Sequence, residues 1–149
     1  VNIDSNNRIS SMSLPDEFYE ADILIAECKR ADSYESSTFK MHELKLIGSE
    51  FARLGVKNVV VKVSGKYCCV VGRSGIIEIL GFEKDIMDNS NTCAAFGGAF
   101  AAAYSVENDA VKAARFGLAA ASIAGTRFGS EDKLALKSEI IELLQNYPD

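Results

Sequence analysis

Residues Asp88 to Phe100, "DNSNTCAAFGGAF", run from a polar loop into small residues of helical character. Such a junction leaves the first backbone N–H groups of a helix without intrahelical partners, and those donors can face an anion such as a phosphate. No acid or base stands where the helix begins, so a frame for gripping an anion is present without a group to move a proton. Three nearby or reactive groups are weighed against that gap. Cys93 sits where a helix N-terminus lowers a thiol pKa. The only histidine, His42, falls on another helix and offers no Cys-His pair, so Cys93 is read as structural. Asp88 opens the loop six positions ahead of Ala94, too early to act as its substitute. His42 itself is read as a partly exposed helix residue, since no second histidine exists and no Cys or acid lies at metal-ligand spacing. Cys28, Cys68, Cys69 and Cys93 lack the paired CxxC spacing of a zinc site and are read as reduced thiols.

The elements that must position this junction follow from periodicity and punctuation. "VNIDSNNR" is expected to be a strand end and a loop, and "SLPDEFYEA" a helix start. "ADILIAE" is expected to be a strand, and "TFKMHELKLIGSEFARLG" a helix with Phe39, Leu44, Ile47, Phe51 and Leu54 on its apolar face and Gly55 closing it. "VKNVVVKVSG", "KYCCVVGRSG" and "GIIEILGF" are β-branched runs parted by Gly and Ser, the last two forming a hairpin. Val59-Val60-Val61 is apolar on both faces, as in a central parallel strand. Three helices are expected near Ala94 to Ser105, Asp109 to Ala124 and Lys133 to Gln145. Asn108 or Asp109 would cap the second, and Ser130 or Glu131 would open the third, with Leu134, Ile140, Ile141 and Leu144 facing the core. The order describes one layered α/β domain over residues 1–149, without repeats or a low-complexity linker.

With these motifs in place, the sequence resembles the C-terminal half of the PfkB or ribokinase-like carbohydrate kinases. The family signature is an acidic residue, two small polar residues, Gly-Ala-Gly-Asp, a small residue, Phe and a small-residue helix, and "DNSNTCAAFGGAF" matches it in register. "DSNNR" (Asp4 to Arg8) is similar to the family's Asp-Pro-Asn-x-Arg, and "ADILIAE" to the strand before its Asn-x-x-Glu motif. "LGVKNVVVKVSG" is similar to its Gly-Val-x-x-Val-Val-Val strand, and "AARFGLAAASIAGTRFG" to its Ala-rich helix and Gly loop. The match runs through essentially the whole chain in order. It implies the C-terminal portion of a ribokinase-like α/β/α sandwich, with a largely parallel central sheet, a C-terminal hairpin and helices.

The resemblance also implies where function would lie, and there the residues depart from the pattern. The family's catalytic Asp falls on Ala94, and its Gly-Ala-Gly on Asn91-Thr92-Cys93. A methyl group accepts no proton, and a general base is typically worth about 10²- to 10⁴-fold in rate. Side chains on the loop crowd a phosphate that glycine admits. Asn-x-x-Glu, the family's route to metal and phosphates, falls on Glu27 and Arg30. The Gly-x-x-Gly turn beside the nucleotide falls on Ser64-Gly65-Lys66-Tyr67, and the Asn beside the adenine on Leu118. The nucleotide and anion positions implied are therefore Ser64, Gly65, Asn91, Thr92, Cys93, Ala95, Gly97 and Leu118, with no intact catalytic residue and no metal ligand set. ATP and Mg are the implied cofactors, held weakly or not at all. Gly97-Gly98 with Ala99, Ala101, Ala102 and Ala103 could line such a pocket or let another element approach closely, and both readings stand.

Composition closes off other classes. Sixteen Lys and Arg are scattered among twenty-one acids, a formal net charge of −5, which argues against nucleic acid as a partner. The longest weakly polar run, Ala94 to Tyr104, is too short to cross a bilayer, and a cytoplasmic location is expected. A hydrophobic content of 48% suits a packed core. Since the family's first half supplies the opening strands and the sugar pocket, the sheet edge is expected to be covered by an upstream half, by a second polypeptide or by a homo-oligomer. The leading expectation is a non-catalytic carbohydrate-kinase-like domain, a pseudokinase kept for scaffolding or binding. The alternative is the C-terminal part of an active ATP-dependent sugar kinase.

Overall fold

The computed structural model describes residues 2–4, 14–29, 39–82, 84–85, 87–89, 91–128 and 134–148. Arg30, residues 5–8 of the "DSNNR" stretch, and Ser130, Glu131 and Lys133 at the expected start of the last helix lie outside them. Five strands are hydrogen-bonded neighbours in chain order: β1 (Asn2–Asp4), β2 (Ile23–Lys29), β3 (Asn58–Val63), β4 (Tyr67–Gly72) and β5 (Gly75–Leu80). β1 pairs parallel with β2, and β2 parallel with β3 in a register that sets Ile25 beside Val60 and Glu27 beside Lys62. β4 follows β3 after Ser64–Lys66, and β5 follows β4 after Arg73 and Ser74. Links that short join adjacent strands only in antiparallel fashion, so the expected parallel sheet with a terminal hairpin is present.

The chain forms two compact units. The first holds Val1–Val63 and Cys68–Glu78. Its helix α1 (Met41–Arg53) begins where the Glu43 carboxylate accepts the Lys40 N–H at 2.6 Å. It ends before Gly55, whose φ of 123° is open to glycine. Phe39, Leu44 and Phe51 are buried as the helical spacing required. Ile47 is half-buried and Leu54 exposed, because Leu54 already belongs to the terminating turn. Gly48 lets α1 lie against the strands: a Cβ there would stand 2.6 Å from Val71 Cγ2. Val59, Val60 and Val61 are fully buried, as a strand covered on both faces requires. The "SLPDEFYEA" segment makes only a short 3-10 turn, Asp16–Glu20, which buries no residue and so gains no packing to extend it.

The second unit holds Ser64–Tyr67 and Ile79–Asp149, with α2 (Thr92–Glu107), α3 (Ala110–Gly125) and α4 (Lys137–Asn146). Two residues join α2 to α3. Asn108 takes the left-handed conformation that closes α2, and Asp109 Oδ1 accepts the N–H groups of Val111 at 2.9 Å and Lys112 at 3.1 Å. Asp109→Ala is expected to cost about 1 kcal/mol, the ordinary loss of an N-cap, measured by urea unfolding. An unchanged midpoint would show that water replaces the carboxylate. Gly117 sets how closely α2 and α3 approach, since a Cβ would sit 2.9 Å from the Phe96 carbonyl oxygen.

The last helix departs from expectation. Residues 134–136 are not helical; Arg127 donates to the Leu134 carbonyl at 3.1 Å, and the Glu139 carboxylate takes the Leu136 N–H at 2.7 Å as the helix begins. Starting at Lys137 instead of Lys133, α4 buries Ile140 and Leu143, while Leu134 is 69% and Ile141 40% exposed.

Candidate functional site

All the positions that sequence comparison implicated, apart from Glu27 and Arg30, belong to the second unit. Four backbone and side-chain bonds shape them. The N–H groups of Met87 and Asp88 both donate to the Gly125 carbonyl, at 2.9 and 3.1 Å, which ties the loop before α2 to the end of α3. At the helix start, the Thr92 hydroxyl and N–H both donate to the Asn89 carbonyl, at 3.0 and 3.3 Å. Thr92 is therefore buried and turned back into its own loop. Ala95 is also buried, Asn91, Cys93 and Gly97 are half-buried, and Ala94 points its methyl outward. The first turn of α2 contains no acid, and the Asn91 side chain makes no capping bond.

The turn at Ser64-Gly65 is held from two sides. The buried Ser122 hydroxyl of α3 donates to the Gly65 carbonyl at 2.9 Å. Gly81 lies so close that a Cβ would stand 1.9 Å from the Lys66 carbonyl oxygen. Ser64 itself has a φ of 46°, unusual for a residue with a side chain. Leu118, which the family resemblance would set beside an adenine, is fully buried in α3. The structure thus joins the turn to α3 and the loop before α2 to the end of α3.

The small-residue face of α2, which the sequence offered as a pocket lining or a surface for close approach, lines a groove beside this framework. It is a cavity of about 590 Å³ walled by Ala94, Gly98, Ala102 and Val106 of α2, Phe116 of α3 and Ile140 of α4, with other small apolar residues between them. The small residues of α2 were its only sequence signal.

Sequence reading missed Lys62. Its ammonium meets the Glu27 carboxylate at 2.8 Å across β2 and β3, with both side chains buried, and a lysine within "VVVKV" was the signal that such an acid must exist. Burial pushes the Cys28 thiol up to about 12, with the neighbouring Cys69 and Glu27 adding to it. Burial also pushes Cys69 up to about 11, opposed by a hydrogen bond with the Val61 backbone and by Lys45, and it raises Cys68 further still.

The chain is similar to ribokinase from Thermotoga maritima, at 24% identity and a TM-score of 0.70, over 97% of this chain and 48% of that one. The fold is ribokinase-like. Ribokinase from Arabidopsis thaliana, complexed with ribose and ATP, matches 97% of this chain and 47% of its own at 21% identity and a TM-score of 0.70. A putative ribokinase II from E. coli, in complex with ATP and Mg, matches 89% and 42% at 22% identity and a TM-score of 0.68. The chain spans about half the length of these ribokinase-like structures. No protein-family model and no curated protein matches the sequence.

At the start of α2 the side chains present supply no carboxylate for a proton or a metal ion. Ala94 has no acid or base function, and two Thr92 donors are already spent on Asn89. Among the described residues no group of three His, Cys, Asp or Glu could hold a metal ion, and no helix is long and apolar enough to cross a membrane.

Proposed function

We propose that this chain is a non-catalytic, carbohydrate-kinase-like domain that serves as a scaffold and binds a partner or a residual ligand. The reading rests on Ala94: the family's proton-accepting position carries a methyl group that walls an apolar groove. In this reading residues 1–149 act as one domain equivalent to the C-terminal, nucleotide-binding half of a ribokinase-like kinase, in the cytoplasm. Ser64, Gly65, Asn91, Thr92, Cys93, Ala95, Gly97 and Leu118 keep the frame of a nucleotide site, and ATP with Mg binds there weakly or not at all. The β1 edge is covered by another half, a second polypeptide or another copy, because an unpaired parallel edge invites pairing. Neither nucleic acid nor membrane is a partner.

A second reading draws on the length relation. A chain matching about half of each ribokinase is also what the C-terminal part of an active ATP-dependent sugar kinase would look like. Thermal denaturation with Mg-ATP, with Mg-ADP as control, separates the two when paired with an assay of phosphoryl transfer to ribose. The expected result is no γ-phosphate-dependent rise in melting temperature and no sugar phosphate. Turnover by the unaltered protein would sink the non-catalytic reading. Turnover appearing only after Ala94→Asp, Asn91→Gly and Cys93→Gly together would mark a recently decayed enzyme.

A further inference from the structure

One buried, ionised pair takes no part in that reading. Glu27 lies near the C-terminal end of β2 and Lys62 near the C-terminal end of β3, and the two residues are partners in the parallel register. Their side chains are 2% and 0% exposed, and Lys62 Nζ stands 2.8 Å from Glu27 Oε1. In open α/β sheets, ligands gather beyond the carboxyl ends of the strands, and a carboxylate there is the natural oxygen donor for a divalent cation. The E. coli neighbour is described in complex with ATP and Mg. A carboxylate at Glu27, three residues ahead of the Arg30 position, thus raises the question of whether it has become a replacement metal ligand.

The geometry points to the opposite. Magnesium demands near-octahedral oxygen coordination at about 2.0–2.1 Å and keeps several of its waters. Glu27 instead has an ammonium at hydrogen-bond distance, and both groups are shut away from solvent that would supply those waters. We infer that Lys62 is a resident cation standing where a divalent metal would otherwise be drawn, so that this chain takes no Mg²⁺ at Glu27. The inference deepens the non-catalytic reading and rests on it for the assignment of this strand end.

Mn²⁺ is the probe, added to the whole chain and followed by the paramagnetic signal of the free ion, beside melting curves in millimolar Mg²⁺ and in EDTA. The expected result is no Mn²⁺ uptake that depends on Glu27, and the same melting temperature in both buffers. Filling a site to a hundred times its dissociation constant would raise melting by roughly 5–10 °C in a domain of this size. Mn²⁺ taken up by the wild type and released in Glu27→Gln overturns the inference. Uptake that Glu27→Gln leaves unchanged belongs to another surface and leaves it standing. Should that variant fail to fold, Mn²⁺ broadening of the Glu27 and Lys62 NMR signals in the unaltered protein would overturn it equally, and sharp signals would support it. Phosphoryl transfer without such uptake would defeat only the non-catalytic reading.

Discussion

Lys62→Met is expected to lower stability by about 3–5 kcal/mol, because removing one member of a buried ion pair leaves the other charge buried without its counter-charge. The Glu27 carboxylate is 2% exposed and is met by Lys62 at 2.8 Å, so water cannot replace the ammonium without opening β2 from β3. With domain stabilities commonly near 5–15 kcal/mol, a loss of that size is a large part of the total. The double variant Glu27→Leu/Lys62→Met should recover most of it, since well-packed apolar residues in place of a buried pair are often neutral or stabilising. Urea unfolding of the three proteins forms the comparison. A single-variant loss below about 1 kcal/mol would show that the pair contributes little and that the strand ends admit water.

Phe96→Ala is expected to cost about 3–5 kcal/mol. The ring is fully buried on α2, it stacks on Phe100 at 6.0 Å between centroids, and the Phe96 carbonyl meets Gly117 of α3. Its removal therefore leaves a cavity where α2 already lies close against Gly117 of α3, which limits how far the backbones can move inward to fill it. Gly98→Ala, two residues along the same helix, should act in the other direction. A Cβ at Gly98 meets nothing within 4 Å, and alanine in a helix interior is favoured over glycine by about 0.5–1 kcal/mol. Thermal or urea unfolding of both variants tests the contrast. Equal and small effects would mean that α2 is not the packed centre of its unit.

The sheet was legible because its signals are local. Val59-Val60-Val61 reads as a strand covered on both faces, and Gly, Arg and Ser between two β-branched runs read as a hairpin turn. Asn108-Asp109 announced the start of α3 because an N-cap depends on the next few residues alone, and the structure assigns the cap to Asp109. The start of α4 was misjudged because Arg127 and Glu139 hold residues 134–136 out of the helix, and such contacts are invisible to periodicity. The Glu27–Lys62 pair was hidden for a related reason. A strand's alternation tells which face a residue takes, but not which residue of the neighbouring strand lies beside it. At the candidate site, alignment by motif pointed to Ala94, whereas the burial of Thr92 comes from bonds to its own loop, and that of Leu118 and the groove along α2 from packing between helices.

The burial of the cysteines has a practical side. The reactive species of a thiol is its thiolate, and burial holds Cys28, Cys68 and Cys69 in the neutral form well above physiological pH. Cys93 alone is partly open to solvent, on the opening turn of α2. Among residues 1–149 the most addressable labelling point is therefore Cys93, and a fluorophore or spin probe attached there would sit beside Ala94.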